Sequence, residues 1–106
     1  MVAMMSDAFQ ADYCADRLRA LGDPHRLRLV EALRSGEKTV SDLALLLDSE
    51  IVTVSHHLQV LRRAALVSVR REGRFMYYSL HRGLLRRRYL DLGCCRLEVP
   101  HTDCSR

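Results

Sequence analysis

The chain has 106 residues, a formal net charge of +4 and a pI near 9.2, with 48% apolar and 28% charged residues. That leaves room for one domain with a modest core, excludes a disordered chain, and makes pairing with a second copy a ready way to bury more surface. No apolar run approaches the roughly 18 residues of a membrane span, and the start, MVAMMSDAF, lacks the basic segment and apolar core of a secretory leader, so the expected location is the cytoplasm.

In chain order, residues 8–21 (AFQADYCADRLRAL) place Phe9, Tyr13, Leu18 and Leu21 at helical spacing, with Cys14 on the same segment. Gly22 breaks it. Asp23 offers an N-cap and Pro24 takes the first helical position, where its missing N–H costs nothing. Leu27, Val30, Ala32 and Leu33 make this second helix amphipathic until Ser35-Gly36. Leu43, Ala44, Leu46 and Leu47 predict a short third helix over 41–48, with Ser41 as its cap and Asp42 favourable to the dipole. After the polar break at 48–50, a fourth helix is expected from about Ile51 to Ala64.

The period then changes. LVSVRREGRFMYYSL alternates β-branched and aromatic residues around Glu72-Gly73, which reads as two strands and a tight turn. GLLRRRYLDL, residues 83–92, looks helical again and Gly93 ends it, leaving an irregular tail with Pro100. No repeat or linker divides the chain, so residues 1–106 form one domain, with a core over 8–92 and a cysteine-bearing tail over 93–106. Helices followed by a hairpin and a closing helix make the fold mainly α with a β-hairpin wing: a winged helix-turn-helix.

Charge has a direction. Sixteen of the seventeen basic residues are arginine, Lys38 being the exception, whereas the first sixteen residues hold Asp7, Asp12 and Asp16 and no base. An arginine-rich middle suits a polyanion on one face; a merely solvated arginine surface is the plain alternative. On the fourth helix, Ile51, Val54, Leu58 and Leu61 fall on one stripe, expected to face the core. Opposite lie Val52, His56, Gln59 and Arg63, flanked by Thr53 and Ser55, and His57 falls at the boundary. Such a face can present hydrogen-bonding groups to base edges at its start and arginine to phosphates at its end. Arg70, Arg71 and Arg74 flank the hairpin tip and are placed to hold DNA backbone.

LGDPHRLRLVEAL, VSDLALLLD and TVSHHLQVLRRAALVSVRREGRFMYYSL together resemble the ArsR/SmtB family of arsenical-resistance and metal-responsive repressors, over about residues 18–80. The resemblance implies a homodimer joined through its first and last helices, binding a palindromic double-stranded operator and released by an inducer. It also implies that Thr53, Ser55, His56 and Gln59 reach the major groove. Many members carry two cysteines at the start of the third helix; here that stretch reads EKTVSDL, with Thr39 and Ser41 in their place. The interfacial zinc ligands of other members are also lacking, since Arg82 and Leu84 coordinate nothing.

Those departures direct attention to Cys94, Cys95 and Cys104, three of the four cysteines. A vicinal pair does not readily close on itself but can offer two sulfurs to one soft centre. With Cys104 as a third, the set suits trivalent arsenite or antimonite, and some arsenite-responsive members carry a similar tail. Other readings stand beside it: zinc or cadmium with His101 or Asp103 added, Cys14 joining from a neighbouring subunit, oxidation pairing Cys104 or Cys14 with Cys94 or Cys95, or no ligand role. An enzyme is not expected: there is no phosphate loop, no Ser-His-Asp-like grouping and little chain from which to build a cleft.

Overall fold

The computed structural model describes residues 11–84 and 89–98. In chain order the elements are α1 (Ala11–Leu21), α2 (Pro24–Leu33), β1 (Lys38–Thr39), α3 (Val40–Leu47), α4 (Ile51–Arg63), β2 (Val67–Glu72), β3 (Phe75–Leu80), β4 (Leu90–Asp91) and β5 (Arg96–Leu97). The fold is a winged helix-turn-helix, mainly α with a hairpin wing. Among the described residues no helix is long and apolar enough to cross a membrane.

Capping chemistry sets the helix starts. Asp23 has an extended backbone and its Oδ2 accepts from the N–H groups of His25 (2.9 Å) and Arg26 (3.2 Å), with Pro24 opening α2. For α3 the cap is Thr39, not the expected Ser41: the Thr39 hydroxyl accepts from Asp42 N–H at 3.1 Å, while Ser41 already lies inside the first turn. The α3 helix closes on Asp48, a left-handed residue at φ 53°, and Ser49 N–H returns to the Ala44 carbonyl at 2.9 Å. That tight turn sets α3 against α4.

The core gathers one face of every helix. Leu29, Leu33, Leu43, Leu58, Leu61 and Leu66 are almost fully buried, joined by Leu84, Leu90 and Leu92 from the C-terminal side. Three of the four stripe residues of α4 point inward, Val54, Leu58 and Leu61, but Ile51 is 54% exposed. Periodicity tells which side of a helix faces inward, not how far the covering layer extends, and at its first residue α4 is uncovered.

The wing is an antiparallel pair in the register Val67↔Leu80 through Glu72↔Phe75, with β1 added along the other edge of β3. Gly73, at φ 63°, adopts the left-handed conformation its two-residue tip with Arg74 demands.

The closing helix expected over 83–92 is not what the described residues form. Residues 82–84 are a turn, residues 85–88 lie outside the described set, and β4 pairs with β5 as a small hairpin (Leu90↔Leu97, Asp91↔Arg96). Leu90 and Leu92, two apart, face the core together as alternate residues of an extended segment. Gly93 turns the chain at φ 90°, its N–H held by Asp91 Oδ1 at 2.9 Å. The segment from 93 therefore begins as ordered hairpin, not as irregular tail.

Candidate nucleic-acid interface and thiol cluster

On α4 the expected outward face is open in part. Thr53, His56 and Arg63 are exposed and Ser55 is half-buried. Val52, at 77% exposure, places an isopropyl group at the same end. Gln59 is also half-buried, and its Nε2 donates to the Tyr78 hydroxyl at 3.3 Å, so this side chain is tied to the wing strand β3. The helix carries no side-chain cap at its N-terminus and ends on Arg62 and Arg63. Free N–H groups at one end and guanidiniums at the other both favour anions.

The three wing arginines do not act alike. Strand alternation puts Arg71 with Val69 on the Tyr78 face, the one tied to α4 through Gln59, and Arg70 on the opposite face. Arg71 and Arg74 are exposed, and Arg71 Nε donates to the Gly73 carbonyl at 3.3 Å. Arg70 is engaged: its Nη2 meets Glu37 Oε2 and its Nη1 meets Glu72 Oε1, each at 2.6 Å, and its guanidinium lies 4.7 Å from the Tyr77 ring centre. Hydrogen bonding from Arg70 holds the Glu37 carboxyl below its ordinary value of 4.5. A carboxyl depressed in the fold contributes stability above its unfolded value, and that contribution is lost as the pH falls through the depressed one. Carboxyl NMR of Glu37 should therefore titrate below 4.5 in the native chain and return to ordinary in Arg70→Ala.

His57 sits at the boundary, half-buried. Its ring stacks on His25 of α2, and Arg26 Nη1 lies 3.1 Å from its Nδ1. Burial lowers its pKa from the ordinary histidine value against the opposing pull of Asp23, which favours the neutral imidazole.

The sulfur chemistry gathers differently from the tail set. Cys104, His101 and Asp103 lie outside the described residues. Cys14, on α1 of the same chain, is joined to Cys94 by a disulfide across 80 residues, and the free, half-buried Cys95 completes a group whose three sulfurs lie within 4.8 Å of one another. Donors of this softness and spacing fit a thiophilic ion once reduced.

Beside this group lies Arg17, buried to 7% exposure. Its Nη1 donates to the Leu92 carbonyl (2.9 Å) and the Tyr13 hydroxyl (2.6 Å), and its Nη2 donates to the Ala65 carbonyl (2.9 Å). One guanidinium thus ties the cysteine-bearing hairpin to the junction between α4 and the wing. Sequence reasoning misses Arg17 because an arginine on an amphipathic helix is usually solvated; its three-residue spacing from Cys14, which puts both on one face, is the signal that could find it.

Comparison with known proteins agrees with the fold. Residues 21–70 match a family described as a helix-turn-helix domain. A transcriptional repressor SmtB homolog of Synechocystis sp. is 48% identical over 71 residues, which is 67% of this chain and 54% of that protein, so the chain spans about half of that relative's length. The crystal structure of a possible transcriptional regulator for arsenical resistance superposes with a TM-score of 0.59 at 46% identity, covering 61% of this chain and 68% of that one. A homodimeric winged helix-turn-helix DNA-binding domain from Mycobacterium bovis, a possible ArsR-family regulator, superposes with a TM-score of 0.66 at 33% identity, covering 68% and 67%.

Proposed function

This chain belongs to the ArsR/SmtB family of winged-helix transcriptional regulators, and from that premise we propose that it is a homodimeric, metal-responsive repressor whose grip on a palindromic operator is broken by a trivalent metalloid, arsenite or antimonite. The ligand set is Cys14, Cys94 and Cys95. The observation that carries this reading is the convergence of three sulfurs within 4.8 Å on one chain. Thr53, Ser55 and His56 read base edges in the major groove, with Gln59 as it parts from Tyr78. Arg63, Arg71 and Arg74 hold phosphates. Arg70, sharing its charge with Glu37 and Glu72, stiffens the wing and contributes less to the DNA.

The proposed release follows from the connections of Arg17. Drawing three sulfurs onto one atom moves α1 relative to the β4–β5 hairpin. Arg17, bonded to Leu92 on one side and Ala65 on the other, carries that shift to the base of α4 and the wing. With α1 and the hairpin in the dimer contact, the same movement alters the separation of the two reading helices, which must stay about one DNA turn, roughly 34 Å, apart.

A second reading is favoured by the Cys14–Cys94 disulfide itself. Oxidation by hydrogen peroxide removes two protons and two electrons from the two thiols, forms the S–S bond and leaves two waters, so the same module serves as a thiol-redox switch. A divalent zinc or cadmium ion on these sulfurs is the third candidate. Selecting an operator from a random duplex pool and measuring affinity with arsenite, zinc, cadmium and peroxide tests all three. Arsenite is expected to release the reduced protein; a protein that binds no duplex, or is indifferent to all four reagents, would overturn the proposal.

The phosphate roles have their own readout. Arg71→Ala and Arg74→Ala are each expected to weaken binding to all duplexes alike and to flatten log K against log salt by about 0.9 for each phosphate left unneutralised. Arg70→Ala should change that slope least. A weakening confined to the cognate sequence would contradict the assignment.

A further inference from the structure

We propose that Asp23, His25 and His57 form a second, sulfur-free site for a transition-metal dication of the zinc, nickel or cobalt class, bridging the start of α2 to the reading helix α4. It shares no residue with the thiol cluster and does not depend on the inducer bound there.

The donors are brought together by local structure. Asp23 is fixed by its capping bonds through Oδ2. His25, one residue into α2 after Pro24, projects toward α4, where its ring lies parallel to His57 with centroids 5.3 Å apart and an interplanar angle of 8°. One carboxylate oxygen and one nitrogen from each imidazole all lie within 4.8 Å of one another. Tetrahedral nitrogen and oxygen ligands at 2.0–2.2 Å from an ion stand about 3.4 Å apart; His25 Nδ1 and Asp23 Oδ2 are already 3.6 Å apart, and the widest separation has at most about 1.4 Å to close. The exposed His25 side chain supplies that movement. A cleft of about 240 Å³, lined by both histidines with Asp48, Ser49 and Thr53, opens beside them and leaves room for a water as fourth ligand.

The donor set selects the ion class. Two neutral imidazoles and one carboxylate suit borderline dications rather than calcium or magnesium, which prefer oxygen alone. Two features oppose a cation here, the positive end of α2 and the Arg26 guanidinium 3.1 Å from His57 Nδ1. The ion therefore competes with Arg26 for His57. Arg26 Nε also donates to the Ala20 carbonyl near the end of α1, so its displacement reaches the helix that carries Cys14. Filling this site thus loosens one tie between α1 and α4 while fastening α4 to α2.

The test uses the full chain with its thiols capped by iodoacetamide and its fold checked by circular dichroism. Zinc titrated calorimetrically is expected to bind at one ion per chain, and His25→Ala, an exposed position, should lose at least about tenfold in affinity. Asp23→Asn, which keeps a capping oxygen, should also weaken binding, whereas His56→Ala should not. In the uncapped chain, zinc beyond one equivalent should shift the ring nitrogens of His25 and His57 in NMR and leave those of His56 and His81 in place. Absence of saturable binding, equal affinity in His25→Ala, or equal loss in His56→Ala would each overturn the site.

Discussion

Leu58→Ala is expected to lower the free energy of unfolding by about 2–5 kcal/mol. Leu58 has no exposed surface and belongs to the cluster that joins α2, α3 and α4. Truncation removes its transfer energy and leaves a cavity that its neighbours, themselves packed on the helix they would have to move, fill only in part. A chain of this size has about 5–15 kcal/mol in total, so the loss is a large share of what keeps the reading helix in place. Urea unfolding at fixed protein concentration measures it, concentration being fixed because a dimer gains stability by association. Ile51→Ala, on the same sequence stripe but 54% exposed, should cost no more than about 0.5 kcal/mol. Equal costs at the two positions would mean that α4 is rotated from the orientation described.

Cys14→Ser is expected to leave operator affinity unchanged and to abolish the response to arsenite. Allosteric coupling of this kind is typically about 1–3 kcal/mol, or about 5- to 150-fold in affinity, and a hydroxyl cannot replace a thiolate toward a soft ion. The ratio of operator affinities without and with arsenite should therefore fall from that range to one. Cys94→Ser/Cys95→Ser should do the same. Cys104→Ser is the discriminating partner: a retained response places the third sulfur on α1. If Cys104→Ser were the variant that lost the response and Cys14→Ser kept it, the tail set of Cys94, Cys95 and Cys104 would be the site.

The fold is legible in the sequence where the signal is local. Asp23-Pro24 marks the start of α2, Leu58 and Leu61 the inner face of α4, and the alternation around Glu72-Gly73 the wing, because capping, helical period and strand period each act within a few residues. Thr39 displaces Ser41 as a cap because two hydroxyls two residues apart both offer a cap, and the fold decides which. The C-terminal segment departs from its expected helix for a related reason. Leu84, Leu90 and Leu92 fit either a helical or an alternating pattern, and short apolar runs do not discriminate; Asp91 before Gly93 is the turn signal that carries more weight. The meeting of Cys14 with Cys94 and Cys95, the pairing of Arg70 with Glu37, and the stacking of His25 on His57 depend on contacts across 32 to 81 residues. No local pattern carries them. The family resemblance covers residues 18–80, extends to the tail cysteines through some arsenite-responsive members, and gives no sign that Cys14 meets Cys94 and Cys95.

The Cys14–Cys94 pairing also has a consequence for how the molecule is made. On a ribosome adding about 5–20 residues each second, the 80 residues between the two cysteines correspond to a delay of about 4–16 s. During that interval α2, α3, α4 and the wing are made, while the N-terminal helix waits for the partners that Arg17 and Cys14 require. For those seconds Cys14 is a thiol without its intended neighbours, open to whatever oxidant or metal the surroundings hold.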